Sequence, residues 1–201
     1  FEGEHLDLAH QQLDPGYVLL LSWWLGTEFS AAVTRLILND NPLTGDFYDA
    51  DKDISGVTSL FDTLKTSSVT ELGLAKCQLG PGSVGKLAEY VRDAEAAVEA
   101  VAIGANPIGS VGGAILLEII KTSKLKTIDI GKPLPLQEPY ESDTLDLSNA
   151  KMDPGHVLLL SWWLTTEFSA AEVARLIMNE NPLTGGCLLY TSDAADDFDC
   201  V

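Results

Sequence analysis

Residues 33–43 read VTRLILNDNPL, and this stretch decides the fold because its pattern returns along the chain. Its form is apolar-x-x-Leu-x-Leu-x-x-Asn-x-Leu, in which other apolar residues replace leucine and cysteine replaces asparagine. Further copies are VTELGLAKCQL at 69–79, VEAVAIGANPI at 98–108 and VARLIMNENPL at 173–183. The alternation places apolar side chains on one face of a short strand. We therefore predict a series of short strands, each buried on one face.

Weaker copies near Leu6, Ile128 and Leu145 extend the series. The predicted central strand positions are Leu6, Leu36, Leu72, Val101, Ile128, Leu145 and Leu176. Helical stretches follow the strands, such as residues 82–91, whose apolar residues have helical spacing. One strand–helix unit cannot bury its own apolar face, so the units are expected to stack.

A polar residue follows each of the four clear strands at the same position. These residues are Asn41, Cys77, Asn106 and Asn181. We predict that they turn inward and hydrogen-bond the backbone groups that a tight bend leaves without partners.

A longer duplication surrounds the short repeat, because residues 145–185 nearly copy residues 6–45. Both copies contain LLLSWWL, at 19–25 and at 158–164. The step from Ile128 to Leu145 is short and contains PLPLQEP, whose prolines disfavour a helix. We predict an extended connection and a kink at this step. Residues 46–53 form an acidic insertion.

These motifs resemble the ribonuclease-inhibitor-like branch of the leucine-rich-repeat family, over residues 1–186. The resemblance implies an α/β solenoid of about six to seven repeats, with one irregular proline-rich step. It also implies a curved shape, with a parallel sheet on the concave side and helices on the convex side.

Because recognition in this family usually uses the concave face, the resemblance implies a protein-binding site there. The candidate residues lie beside the central strand positions: His5, Asp7, Arg35, Ile37, Glu71, Gly73, Ala102, Asp129, Asp146, Arg175 and Ile177. Small residues around Gly73, Ala102 and Gly104 predict a shallow centre with room for a partner's side chains.

Composition restricts the partner. The net charge is −18 with only 12 Lys and Arg residues, which disfavours nucleic acid as a partner and fits a basic protein better.

No apolar run approaches the roughly 20 residues of a membrane span. The chain has three cysteines, of which Cys187 and Cys200 lie in an atypical tail, so we expect no disulfide framework. We therefore expect a cytoplasmic location.

Motifs that could carry chemistry have simpler explanations, so we predict no enzyme, cofactor or metal. Residues 80–86 read GPGSVGK, as in a phosphate-binding P-loop, but Leu87 stands where a hydroxyl is needed. Residues 49–56 alternate carboxylates as in a calcium loop, but Ile54 and Leu60 replace the required Gly and Glu. We instead expect Ser55 to cap a helix that runs through Lys65. The three histidines are scattered.

The tryptophan pairs at 23–24 and 162–163 leave two interpretations open. One Trp of each pair packs inward while the other covers the neighbouring repeat, or the pairs form an exposed strip that docks a partner.

The two ends of the chain raise separate questions. The first residue is Phe1 rather than Met, and we expect a fragment of a longer repeat protein. Residues 187–201 abandon the repeat, and CLLYTSDAAD within them resembles a translated sequencing adapter, although a genuine polar cap is the alternative. Uncapped ends also suggest self-association.

Two further functions stay open at this point. The chain could be the sensing arm of a nucleotide-binding leucine-rich-repeat receptor. It could also be a GTPase-activating regulator, for which Arg35 and Arg175 are the repeated arginines.

Overall fold

Short strands alternate with helices in a computed structural model, which describes residues 3–46, 48–93, 96–170 and 173–184. The strands are β1 His5–Asp7, β2 Arg35–Ile37, β3 Glu71–Gly73, β4 Ala100–Ala102, β5 Thr127–Asp129, β6 Pro133–Pro135, β7 Thr144–Asp146 and β8 Arg175–Ile177. The helices are α1 Pro15–Leu25, α2 Ser55–Leu64, α3 Pro81–Arg92, α4 Gly109–Ile120, α5 Pro154–Trp163 and α6 Glu167–Ala170. A 3₁₀ turn at Glu28–Ser30 follows α1.

The sheet is mostly parallel and follows chain order. Strands β1 to β5 pair side by side, and β7 pairs with β8 in a second, two-stranded sheet. The central residues are direct partners across neighbouring strands: Leu6 with Leu36, Leu36 with Leu72, Leu72 with Val101, Val101 with Ile128, and Leu145 with Leu176. The predicted strand positions are therefore confirmed.

The helices cover one face of this sheet and bury the central residues of β2 to β5 and β7, whereas Leu6 of β1 is half-buried and Leu176 of β8 is 39% exposed. Leu36, Leu72 and Val101 are buried with apolar residues of the helices in a single cluster. Successive helices from α1 to α5 pack against one another in chain order. The first and third residues of each strand lie on the opposite side, which we call the open sheet face.

The proline-rich step ends the first sheet. Strand β6 turns back and pairs antiparallel with β5, which places Leu134 opposite Ile128. Prolines suit this place because an edge strand need not donate every ladder hydrogen bond. The indole Nε1 of Trp163 donates to the Pro135 carbonyl at 2.7 Å, and so connects α5 to the hairpin. The extended connection is confirmed, whereas the helix layer continues past it because α4 packs against α5.

The inward-turning polar residues are also confirmed. The Asn106 side chain donates to the carbonyls of Leu74 and Ile103 at 2.8 and 2.7 Å. Its Oδ1 accepts from the backbone N–H groups of Cys77 and Leu79 at 2.8 and 3.1 Å. Asn41 and Asn181 make equivalent bonds, and the Cys77 thiol donates to the Leu38 carbonyl at 3.2 Å.

Two sequence predictions concern the C-terminal end and the membrane. Residues 185–201, which contain the predicted non-native tail 187–201 and the last residue of the second copy, lie outside the described residues. Within the described part of the chain, no helix combines the length and the apolar character needed to cross a membrane.

Candidate binding face

A depression on the open sheet face brings together six of the eleven predicted site residues. It spans β2 to β5, has a volume of about 220 Å³, and is lined by Arg35, Ile37, Glu71, Gly73, Ala102 and Asp129 among others. The other five predicted residues lie on strands outside the depression. They are His5 and Asp7 on β1, Asp146 on β7, and Arg175 and Ile177 on β8.

Besides the central strand residues Leu72 and Val101, which the sequence assigned to the core, four lining residues were missed by the sequence prediction: Asn39, Ala100, Thr127 and Pro133. Ala100 and Thr127 precede the central residues of β4 and β5, so taking both neighbours of every central position would have found them. Pro133 lines the depression because β6 pairs with β5, and no repeat pattern indicated that pairing.

The two ends of the depression differ in character. At the β2 end, Arg35 Nε and Glu71 Oε1 form an ion pair at 2.9 Å. Both side chains are about half exposed, so the pair contributes little to stability and can exchange partners on binding. This pairing also engages Arg35, one of the two arginines considered for a GTPase-activating role. At the other end, Asp129 and Pro133 face each other across the β5–β6 pair.

The centre of the face is less open than predicted. A Cβ at Gly73 would lie 2.9 Å from Ile37 Cδ1 and 3.0 Å from Asn39 Oδ1, so these side chains already fill the space above the glycine. A Cβ at Gly104 would lie 2.7 Å from the Gly131 backbone nitrogen. The space at Gly104 is therefore taken by neighbouring backbone, whereas Gly73 still lines the depression beside the Ile37 and Asn39 side chains. The room that remains lies over Ala100 and Ala102, which are only partly covered.

Three aspartates occupy the third position of their strands, and their carboxylates also hydrogen-bond the backbone just after the strand. The carboxylates of Asp7, Asp129 and Asp146 accept from the backbone N–H groups two residues later, at 2.9, 2.7 and 2.9 Å. Hydrogen bonds from the Ser148 side chain and backbone, with smaller contributions from Lys132 and Arg175, lower the pKa of Asp146. These aspartates shape the strand ends and also place negative charge along the open sheet face.

In the P-loop-like segment, residues 80–86, a carboxylate of this chain accepts the hydrogen bonds that a phosphate would need. Helix α3 begins at Pro81, and the Asp51 carboxylate accepts from the N–H groups of Gly80 and Gly82 at 2.9 and 2.6 Å. Ser83 also donates to Asp51 through its hydroxyl. Lys86 pairs instead with Glu89 at 3.0 Å. The donors that would cradle a phosphate are thus engaged by a side chain of this chain.

The carboxylates of the acidic insertion bind different partners and do not converge on one point. Asp46 binds Lys52 at 2.8 Å, and this hydrogen bond lowers the pKa of Asp46. Asp53 accepts from the Ser55 backbone at 2.9 Å at the start of α2. The prediction that Ser55 caps this helix is wrong, because Ser55 is already helical and α2 ends at Leu64. Among the described residues, no group of three or more acidic, His or Cys side chains could hold a metal ion.

Removal of the Asp51 carboxylate is expected to destabilise the fold. Asp51→Ala leaves the first N–H groups of α3 without their acceptor, and we expect a loss of about 2 kcal/mol in the free energy of unfolding, measured by urea denaturation. Asp51→Asn keeps one acceptor oxygen and should cost less. Asp49→Ala, an exposed carboxylate of the same loop, is the control and should change stability by less than about 0.5 kcal/mol. Equal effects at 49 and 51 would contradict the capping role.

The tryptophan pairs behave differently in the two copies. In α5, Trp163 is buried and Trp162 is partly covered, as the inward-packing interpretation predicts. In α1, Trp23 is 72% exposed. Cys77, the one cysteine within the described residues, is buried, and burial raises the pKa of its thiol to about 12, which disfavours the reactive thiolate.

Comparisons with known proteins give no family assignment. No protein-family model matches the chain. No curated protein matches the chain in sequence either.

Proposed function

We propose that this chain is a leucine-rich-repeat solenoid of the ribonuclease-inhibitor-like type, and that it binds another protein on the open sheet face without catalysing a reaction. Strand–helix alternation, parallel strands in chain order and the hydrogen-bonded Asn and Cys residues support the family assignment. In such a solenoid the open sheet face is the concave side.

One observation carries the binding function. Four consecutive strands, β2 to β5, form a single depression whose floor is small and apolar at Ala100 and Ala102. Its rim carries an ion pair at Arg35 and Glu71, and a carboxylate at Asp129. A small floor inside a charged rim suits a protruding side chain flanked by polar groups.

The charge of the chain defines the partner's chemistry. The net charge is −18, and Asp7, Asp129 and Asp146 lie along the open sheet face. We therefore propose a protein partner with a basic surface, steered by electrostatic attraction, rather than a nucleic acid or a membrane. We also propose a reducing compartment, the cytoplasm, because the buried Cys77 uses its thiol as a hydrogen-bond donor.

A substitution on the floor tests the proposal. Ala102→Arg should block the depression and reduce the recovery of a specific partner at least about tenfold, or about 1.4 kcal/mol. The chain is immobilised, and proteins captured from a lysate of the source cells are quantified by mass spectrometry. Val111→Arg is the matched control, since Val111 is 61% exposed on α4 in the helix layer.

The two variants separate the outcomes. Proteins lost with Ala102→Arg and retained with Val111→Arg would support binding on the open sheet face. Proteins captured equally by both variants would show that this face is not the binding site. Circular dichroism on each variant confirms that folding is unchanged.

A further inference from the structure

The charges that line the depression on the open sheet face are unevenly distributed. At the β2 end, Arg35 and Glu71 neutralise each other through their ion pair at 2.9 Å. At the β5 end, Asp129 is half-buried, and no Lys, Arg or His of the described residues pairs with it. Its carboxylate accepts from the Gly131 backbone N–H at 2.7 Å. The lining holds one positive and two negative side chains, so its excess negative charge lies at Asp129.

The register of the strands places this carboxylate beside the apolar floor of the depression. Ala102 of β4 is the direct partner of Asp129 on β5. Ala100 is likewise the partner of Thr127, whose hydroxyl makes no hydrogen bond within the described part of the chain. Because neighbouring strands lie about 5 Å apart, a side chain that crosses the two alanines reaches the carboxylate and the hydroxyl together. Pro133, the partner of Asp129 on β6, stands on the far side of the carboxylate.

We propose that the depression binds one arginine or lysine side chain of the partner protein, and this rests on the proposed function. The apolar stem of that side chain lies over Ala100 and Ala102. Its charged group donates to the Asp129 carboxylate and the Thr127 hydroxyl. Arginine and lysine have the required build, because each carries its charge at the end of a long apolar stem. A hydrogen bond to an ionised group is also about twice as strong as one between neutral groups.

Other occupants suit the depression less well. An apolar side chain would cover the alanines, but it would displace water from the half-buried Asp129 carboxylate without replacing the lost hydrogen bonds. An acidic side chain would be repelled by Asp129, and Arg35, the one cation among the described lining residues, is already engaged by Glu71. The volume of about 220 Å³ is below the roughly 300 Å³ at which small-molecule pockets begin, so a single side chain fits better than a free metabolite.

A displayed library of random short peptides tests the basic anchor. The full chain is immobilised, and the selected peptides are screened again on Ala102→Arg, so that only peptides that this variant fails to bind are kept. We expect these peptides to share an arginine or lysine at one position. Replacing that residue by its uncharged analogue, citrulline for arginine or norleucine for lysine, should weaken binding at least about tenfold in fluorescence anisotropy.

Asp129→Asn removes the charge and keeps the turn, because the asparagine oxygen still accepts from the Gly131 N–H. This variant should weaken the selected peptides at least about tenfold. It should have little further effect on the citrulline or norleucine peptides, since both changes remove the same contact. Asp49→Asn removes an exposed carboxylate of the acidic insertion, outside the depression, and should bind the peptides like the wild type.

The outcomes separate the basic anchor from the proposed function. Peptides that Ala102→Arg fails to bind, but that share no basic residue or bind Asp129→Asn unchanged, would overturn the anchor and leave binding on the open sheet face intact. Acidic peptides that lose affinity with Arg35→Gln would also overturn it, because the Arg35–Glu71 pair would then open to receive the partner. A selection that yields no peptide blocked by Ala102→Arg would overturn both proposals.

Discussion

Asn106→Ala is expected to destabilise the fold by about 3 kcal/mol, because the change leaves three buried backbone groups without partners, while the Ile103 carbonyl keeps a contact with His156 Nε2 at 3.3 Å. The asparagine is 1% exposed and bonds the carbonyls of Leu74 and Ile103 and the N–H groups of Cys77 and Leu79. Alanine can replace none of these bonds, and the site lies between two strand–helix units, where water cannot easily enter.

Two further variants make this prediction specific, and all are measured by urea denaturation with comparison of the m-values. Asn106→Cys should cost less than alanine, since Cys77 shows that a thiol at the equivalent position can donate to a carbonyl. Asn181→Ala removes an equivalent but only partly buried residue with fewer bonds, and should cost about half as much. A loss below about 1 kcal/mol for Asn106→Ala would show that these bonds are not limiting for stability.

The sequence predicts the strand positions and the inward asparagines because both depend on local pattern. Leu36, Leu72 and Val101 alternate with polar or small residues over a few positions, and that alternation determines which side of a strand enters the core. Since the pattern repeats in phase, it also predicts which residues become partners in the sheet. Both predictions hold over the described residues.

Contacts between distant residues could not be predicted in this way. Asp51 caps a helix that begins 30 residues later (81 − 51), and the acidic insertion that carries it has no equivalent in the other copies of the pattern. The pairing of Pro133 with Asp129 also depends on a turn outside the repeat. Each contact needs the surrounding fold to bring its partners together.

The sequence predicted which residues lie on the open sheet face, but not the space between their side chains. Placing the residues beside the central positions on the open sheet face follows from strand geometry. The space above Gly73 depends instead on the direction of the Ile37 side chain on the neighbouring strand. Side-chain direction across strands is a tertiary property, so the amount of space at each glycine could not be predicted from the sequence.

Gly155→Ala is expected to cost about 3 kcal/mol, whereas Gly16→Ala at the equivalent position should change stability by less than about 1 kcal/mol. In α5 the added methyl group would lie 2.5 Å from Ile108 Cγ1 and against the Gly109 backbone, which cannot move away without separating α4 from α5. In α1 the methyl group meets only the Asp14 carboxylate at 3.2 Å, and alanine gains helix propensity.

Thermal and urea denaturation of the two variants measure this difference. The local sequences around residues 16 and 155 are nearly the same, so a difference reports the neighbouring helix rather than the glycine itself. Equal costs at both positions would contradict the close α4–α5 packing.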